Sequence, residues 1–209
     1  MNELLKMTAH QVKEGKFDKV ILAIGSCEAH GQHLAEGCDT IVSYELSKQV
    51  ADRVPGMLVL PPITVGYSGH YDTFPFTLTF DYETMIHVIY DIVESVLRNG
   101  INKIFLMNGH DGNIAPIEIA ARKIKEKYPD ARIASLPEWW VIAGKLVPEG
   151  TFAVWNGLGH AGEGETSIAY HLFPQWCEPD QATCVVPDHL PEHVDIKWDF
   201  AEITDTAQT

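Results

Sequence analysis

The chain has 209 residues, 45% of them hydrophobic and 21% charged, the balance of an ordinary globular protein long enough to bury one core. Its formal net charge of −14 argues against nucleic-acid binding, because a phosphate-binding surface needs clustered Lys and Arg. No apolar run reaches the roughly 18–20 residues that cross a bilayer, and the opening MNELLKMTAHQVKEG has no apolar core of a secretion signal, so no membrane contact is expected.

That opening segment predicts an amphipathic surface helix on a cytoplasmic protein. KVILAIGS (19–26) is β-rich and predicts a buried strand. Residues 40–54 carry apolar side chains at 41, 42, 46, 50 and 54, a helical stripe, with Asp39 or Thr40 as candidate N-cap. MLVLPPITVG (57–66) reads as a strand running into a loop. Residues 81–100 predict a long amphipathic helix, capped by Asp81 and stopped by Gly100. NKIFLMNG (102–109) predicts a strand, NIAPIEIAARKIKEKYP (113–129) a helix closed by Pro129, ARIASLPEWW (131–140) a fourth strand and GETSIAYHLF (164–173) a further helix. Strands and helices alternating at short spacing are the pattern of parallel βαβ units with helices on both faces. The expectation is an α/β fold: one three-layer αβα domain over residues 1–209 with a mostly parallel sheet.

In such sheets ligands bind beyond the carboxyl ends of the strands. Three polar loops follow strands and carry ligand chemistry. GSCEAHGQHLAEGCD (25–39) holds Glu28 and His30, which share a side of extended chain, and Asp39 at a helix start. NGHDGN (108–113) presents His110 at a glycine-flanked turn, and GHAGEGETS (159–167) brings His160, Glu163 and Glu165 before a helix. Imidazoles and carboxylates in that mixture suit a borderline divalent ion such as zinc or manganese, and one bridging carboxylate can hold two.

Other chemistries fit less well. GLGHAG (157–162) satisfies the dinucleotide fingerprint, but it sits late in the chain, and Glu163 and Glu165 stand where a pyrophosphate would bind. No nucleophile elbow and no phosphate-binding P-loop is present. The four cysteines form no C-x-x-C pair and read as free thiols; Cys27 among carboxylates would be a poor nucleophile.

The three ordered motifs GSCEAHGQHLAEGCDT, NGHDGN and HAGEGETS resemble those of the creatininase (creatinine amidohydrolase) family, as does the Phe-Pro-containing stretch SGHYDTFPFTLTF (68–80). The resemblance implies an amidohydrolase with two divalent ions per chain, zinc, manganese or iron, often assembled as a hexamer. It implies Glu28, Asp39 and His110 for one ion and His30 with the bridging Asp39 for the other. In creatininase the remaining ligand is a glutamate two residues after the motif histidine. That position here is Gly112, so Glu165, or failing it Asp111, is expected to serve. His160 or Glu163 is the expected proton shuttle, and Ser68, His70, Asp111 and Trp155 are the candidate substrate contacts. The expected reaction is hydrolysis of a C–N bond in a small cyclic or formyl amide. A C–C or ester hydrolase and a catalytically silent regulatory homologue are the alternatives.

Overall fold

In the computed structural model, which describes residues 2–154, 157 and 159–184, four strands pair in the order β2-β1-β3-β4, all parallel. They are β1 (Lys19–Ile24), β2 (Met57–Val59), β3 (Lys103–Asn108) and β4 (Arg132–Leu136). Trp155 and the tail from residue 185 lie outside the described residues.

Alternation along the strands builds the layers, because successive side chains of a strand face opposite ways. Val20, Leu22 and Ile24 join Ile104 and Leu106 on one face, where α3 (Tyr82–Arg98) adds Met85, Ile89 and Val93 and α4 (Ile114–Lys127) adds Ile117, Ala120 and Ile124. Ile21, Val59 and Met107 point the other way, against Ala51 of α2 (Cys38–Arg53). A third cluster joins α2 to α5 (Trp139–Leu146) and α6 (Glu163–Leu172) through Val42, Trp139 and Ala169. The opening surface helix is α1 (Ala9–Glu14), with a Thr8–Gln11 capping box and no buried residue. No helix among the described residues is long and apolar enough to cross a membrane.

Three expectations change in detail. The strand at 57–66 stops at Val59 because Pro61 and Pro62 cannot donate to a ladder, although Ile63 still donates to Ala23 O (3.0 Å). The strand at 131–140 ends at Leu136, before Pro137, and Trp139 and Trp140 open a helix. Neither Asp39 nor Thr40 caps α2. Gly37 is its N-cap residue, and Asp39 lies in the first turn with its carboxylate turned to the site described next. Asp81 does cap α3, accepting from the Thr84 N–H at 2.6 Å, and Gly100 follows that helix at φ 85°.

Candidate metal centre

β1 continues through α2 to β2 and β3 through α4 to β4, so the chain leaves these neighbouring strands in opposite directions along the sheet. Their carboxyl ends flank the crevice where such sheets bind ligands. The loop from 25 leaves β1 there and the loop from 109 leaves β3. Gly109 allows the first turn of α2 to lie directly on the end of β3: a Cβ at that position would come within 2.4 Å of Asp39 O. That close approach brings Asp39 to His110.

The two asparagines of NGHDGN set the turn. Asn108 donates to His110 O (2.6 Å) and accepts from the His110 N–H (3.2 Å). Asn113 donates to Gly25 O (2.9 Å) and accepts from the Tyr67 N–H (3.0 Å), tying the ends of β1 and β3 to the loop at 66–68. Glu28 is fixed through its N–H, which donates to Glu36 O (2.9 Å).

Three imidazoles then converge in one orientation. His30 donates from Nδ1 to Glu28 O (3.0 Å), His110 from Nε2 to Tyr67 O (2.7 Å), and His160 from Nε2 to Ala29 O (2.5 Å). A carbonyl can only accept, so each contact fixes the tautomer and leaves the opposite nitrogen facing inward. Those inward nitrogens meet carboxylates. His30 Nε2 is 2.9 Å from Asp39 Oδ1, and His110 Nδ1 is 3.1 Å from both Asp39 Oδ2 and Glu28 Oε1. His160 Nδ1 is 4.0 Å from Glu28 Oε1. Ser26 donates to Asp39 Oδ2 at 2.6 Å, whereas neither oxygen of the fully buried Glu28 has a partner in hydrogen-bond alignment among the described residues.

Lone pairs that face lone pairs need a cation between them. Without metal, protons fill that role. Burial alone would lower the His30 pKa, but Asp39 pushes it up to about 10, and Glu28 and Asp39 likewise hold His110 well above its usual value. Burial opposes ionisation of Glu28 and Asp39, yet the facing imidazoles keep both below the usual carboxylate range. His160 differs: burial, with the charge of His30 beside it, pushes it down to about 4. Burial pushes Glu165 up to about 7, with Asp39 adding to the effect. Burial also raises the Cys27 thiol, assisted by Glu36 and Glu28, so no activated thiolate sits here.

Three sets of side chains have potential ligand atoms within 4.8 Å of one another: Glu28, His70 and His110; Glu28, His30 and His160; and His30, Asp39 and Glu165. All five side chains expected from the sequence as metal ligands are among them. His70 joins them, its ring parallel to that of His110 with centroids 5.6 Å apart. Asp111 and Trp140 line the same cavity of about 250 Å³, but Asp111 is in none of the three sets.

Other expected residues stand elsewhere. Ser68 is buried behind His110, with its Oγ 3.5 Å from Nε2, and it does not line the cavity. Glu163 is exposed and accepts from the N–H groups of Ala153 (2.8 Å) and Val154 (2.9 Å), outside the cavity wall. Sequence reasoning missed Tyr71, a buried cavity residue whose ring centroid lies 4.4 Å from that of His160. Nε2 of the buried His33 meets Thr166 Oγ1 at 2.8 Å, and that hydroxyl donates to Ala161 O at 3.0 Å. Ala161, at φ 52°, gives its N–H to Glu165 Oε2 (2.7 Å), so the His33 chain ends on the loop that holds Glu165.

A family model for creatinine amidohydrolase matches residues 5–209. The chain belongs to the creatininase family. It is 31% identical to a creatinine amidohydrolase of Pseudomonas putida over 187 residues, covering 82% of this chain and 69% of that protein. It is 27% identical to a mycofactocin precursor peptide peptidase of Mycobacterium ulcerans (strain Agy99), covering 84% of this chain and 66% of the relative. Among solved structures it is similar to a manganese creatininase, with TM-score 0.76, 28% identity, and coverage of 96% of this chain and 84% of the other. A mutant creatininase of zinc–zinc type gives TM-score 0.74 at 28% identity, covering 95% of this chain and 83% of that one.

Within the creatininase family, the glycine at 112 has a steric reason in this chain. A Cβ there would come within 2.2 Å of Tyr67 O and 2.6 Å of His110 Nε2. The carbonyl that orients His110 therefore occupies the space a side chain at 112 would need. Glu165 enters from α6 instead, beside His30 and Asp39.

Proposed function

We propose that this chain is a metal-dependent amidohydrolase that cleaves a C–N bond of a small cyclic or formyl amide. The observation that carries the reading is the convergence of His30, His110 and His160, each donating outward to a backbone carbonyl and turning its other nitrogen toward Glu28 or Asp39. The oxygens of Glu28, which no donor among the described residues meets in hydrogen-bond alignment, and the N/O donor mixture fit divalent ions. Glu28, Asp39 and His110 would hold one ion, and His30, Asp39 and Glu165 a second. Such a pair, when bound, acidifies water and polarises a carbonyl oxygen.

The remaining work falls to the protein. Asp39 has both oxygens committed, one toward His30 and one toward His110, so it is placed to serve both halves of the site. His160, whose pKa burial pushes down to about 4, has Nδ1 4.0 Å from Glu28 Oε1, where it can take a proton and pass it to a leaving nitrogen. Tyr71 packs on the His160 ring, and Trp140 lines the cavity. His70 and Asp111 line the same space and would contact the substrate.

The test is a panel of formamides, lactams, cyclic ureas and short peptides, assayed with zinc- or manganese-loaded protein and with chelator-treated protein. Metal-dependent amine release from at least one amide class supports the reading. Activity unchanged by chelator, or none on any amide with the metals loaded, contradicts it.

A further inference from the structure

A second cavity, of about 330 Å³, lies between α5 and α6, walled by Trp139, Ala143, Val147, Phe152 and Ile168. Trp140, Gly159 and Glu165 line both this cavity and the one at the carboxylate–histidine cluster. The two spaces are thus neighbours across a shared wall, one polar and ionised, the other dominated by apolar side chains. The second is about twice the roughly 150 Å³ of an engineered apolar cavity that binds benzene.

We propose that this second cavity is a specificity subsite: the substrate whose amide reacts at the metal centre carries an aromatic or branched apolar group that enters between α5 and α6. The proposal rests on the amidohydrolase reading and narrows its substrate class from the smallest amides to those with an apolar arm. Glu165 stands at the junction, its Oε2 held by the Ala161 N–H, so an arm passing it enters the apolar space directly beside the reacting carbonyl. Burying such a group is worth on the order of 10- to 100-fold in affinity.

Binding tests this without turnover. Zinc-loaded protein is titrated calorimetrically with acetohydroxamate and 3-phenylpropanohydroxamate, which offer the same metal-binding head. Acetohydroxamate binding with a phenyl compound at least about tenfold tighter is the expected result. Ala143→Phe, which fills the cavity, should abolish that gain and leave acetohydroxamate unchanged. Val147→Trp carries the same test should Ala143→Phe fail to fold. No phenyl gain, or a gain that survives both filling variants, overturns the subsite. Failure of acetohydroxamate itself to bind overturns the metal-centre reading beneath it, a distinguishable outcome.

Discussion

Asp39→Asn in the metal-free protein removes one charge and keeps the shape of the side chain. Asp39 Oδ1 stands 2.9 Å from His30 Nε2 and Oδ2 3.1 Å from His110 Nδ1. At an effective dielectric of about 20, a charge pair at such a distance attracts by roughly 5–6 kcal/mol before desolvation. Removing one partner of a buried pair costs about 3–5 kcal/mol. The rise of the His30 pKa from 6.5 to about 10 is worth the same order, at roughly 1.4 kcal/mol per unit. The sign follows from linkage: a folded pKa raised above the unfolded one gives stability that is complete below 6.5 and lost as pH rises through about 10. Metal-free wild type should therefore lose thermal stability steadily across that interval. The Asn variant should be less stable at the acid end by about 3–5 kcal/mol, or roughly 6–20 °C, with a flatter pH dependence above it. Calorimetric melting in chelator across the pH range measures both. Equal melting temperatures at the acid end, or parallel slopes in the two proteins, would refute the reasoning.

Three further outcomes follow from the same geometry. Zinc uptake near neutral pH should release about two protons per chain, because His30 and His110 are both held protonated without metal; titration in buffers of different ionisation enthalpy reads the number, and no release contradicts it. Gly112→Ala should weaken metal binding by about tenfold or more by displacing the Tyr67 carbonyl from His110, with unchanged affinity as the contrary result. His160→Ala should lower kcat on the active amide by about 10²–10⁴-fold, whereas Glu163→Gln should stay within about threefold, since that carboxylate is engaged with the N–H groups of Ala153 and Val154; the reverse order would reassign the proton shuttle.

How far the sequence could be read depended on where each signal resides. β1 and β3 are apolar runs flanked by turn chemistry, and Asp81 precedes a regular helical stripe, so both were visible locally. The helix at Trp139–Leu146 was not, because WWVIAGKL is rich in strand-favouring residues, eight residues long and without a capping side chain. Glu28, His30 and His110 were legible as ligand types beyond the ends of β1 and β3, and parallel-sheet topology supplied the reason they meet Asp39; Glu165 arrives from the first turn of α6, which follows α5 and not a strand. The carbonyls of Glu28, Tyr67 and Ala29 that orient the three imidazoles were not, since any residue offers a carbonyl. Nor does a sequence announce that Thr166 lies against His33, a contact 133 positions apart.

The central claim is that Glu28, His30, Asp39, His110 and Glu165 form one metal-binding unit. Metal content is the direct measurement: protein purified without chelator, saturated with zinc or manganese and freed of excess ion, is analysed by mass spectrometry of the elements. About two ions per chain are expected in the wild type and a loss of both in Asp39→Ala, because that carboxylate faces both halves of the site. Wild-type protein that retains no ion, or an Asp39→Ala variant that retains its full complement, would contradict it.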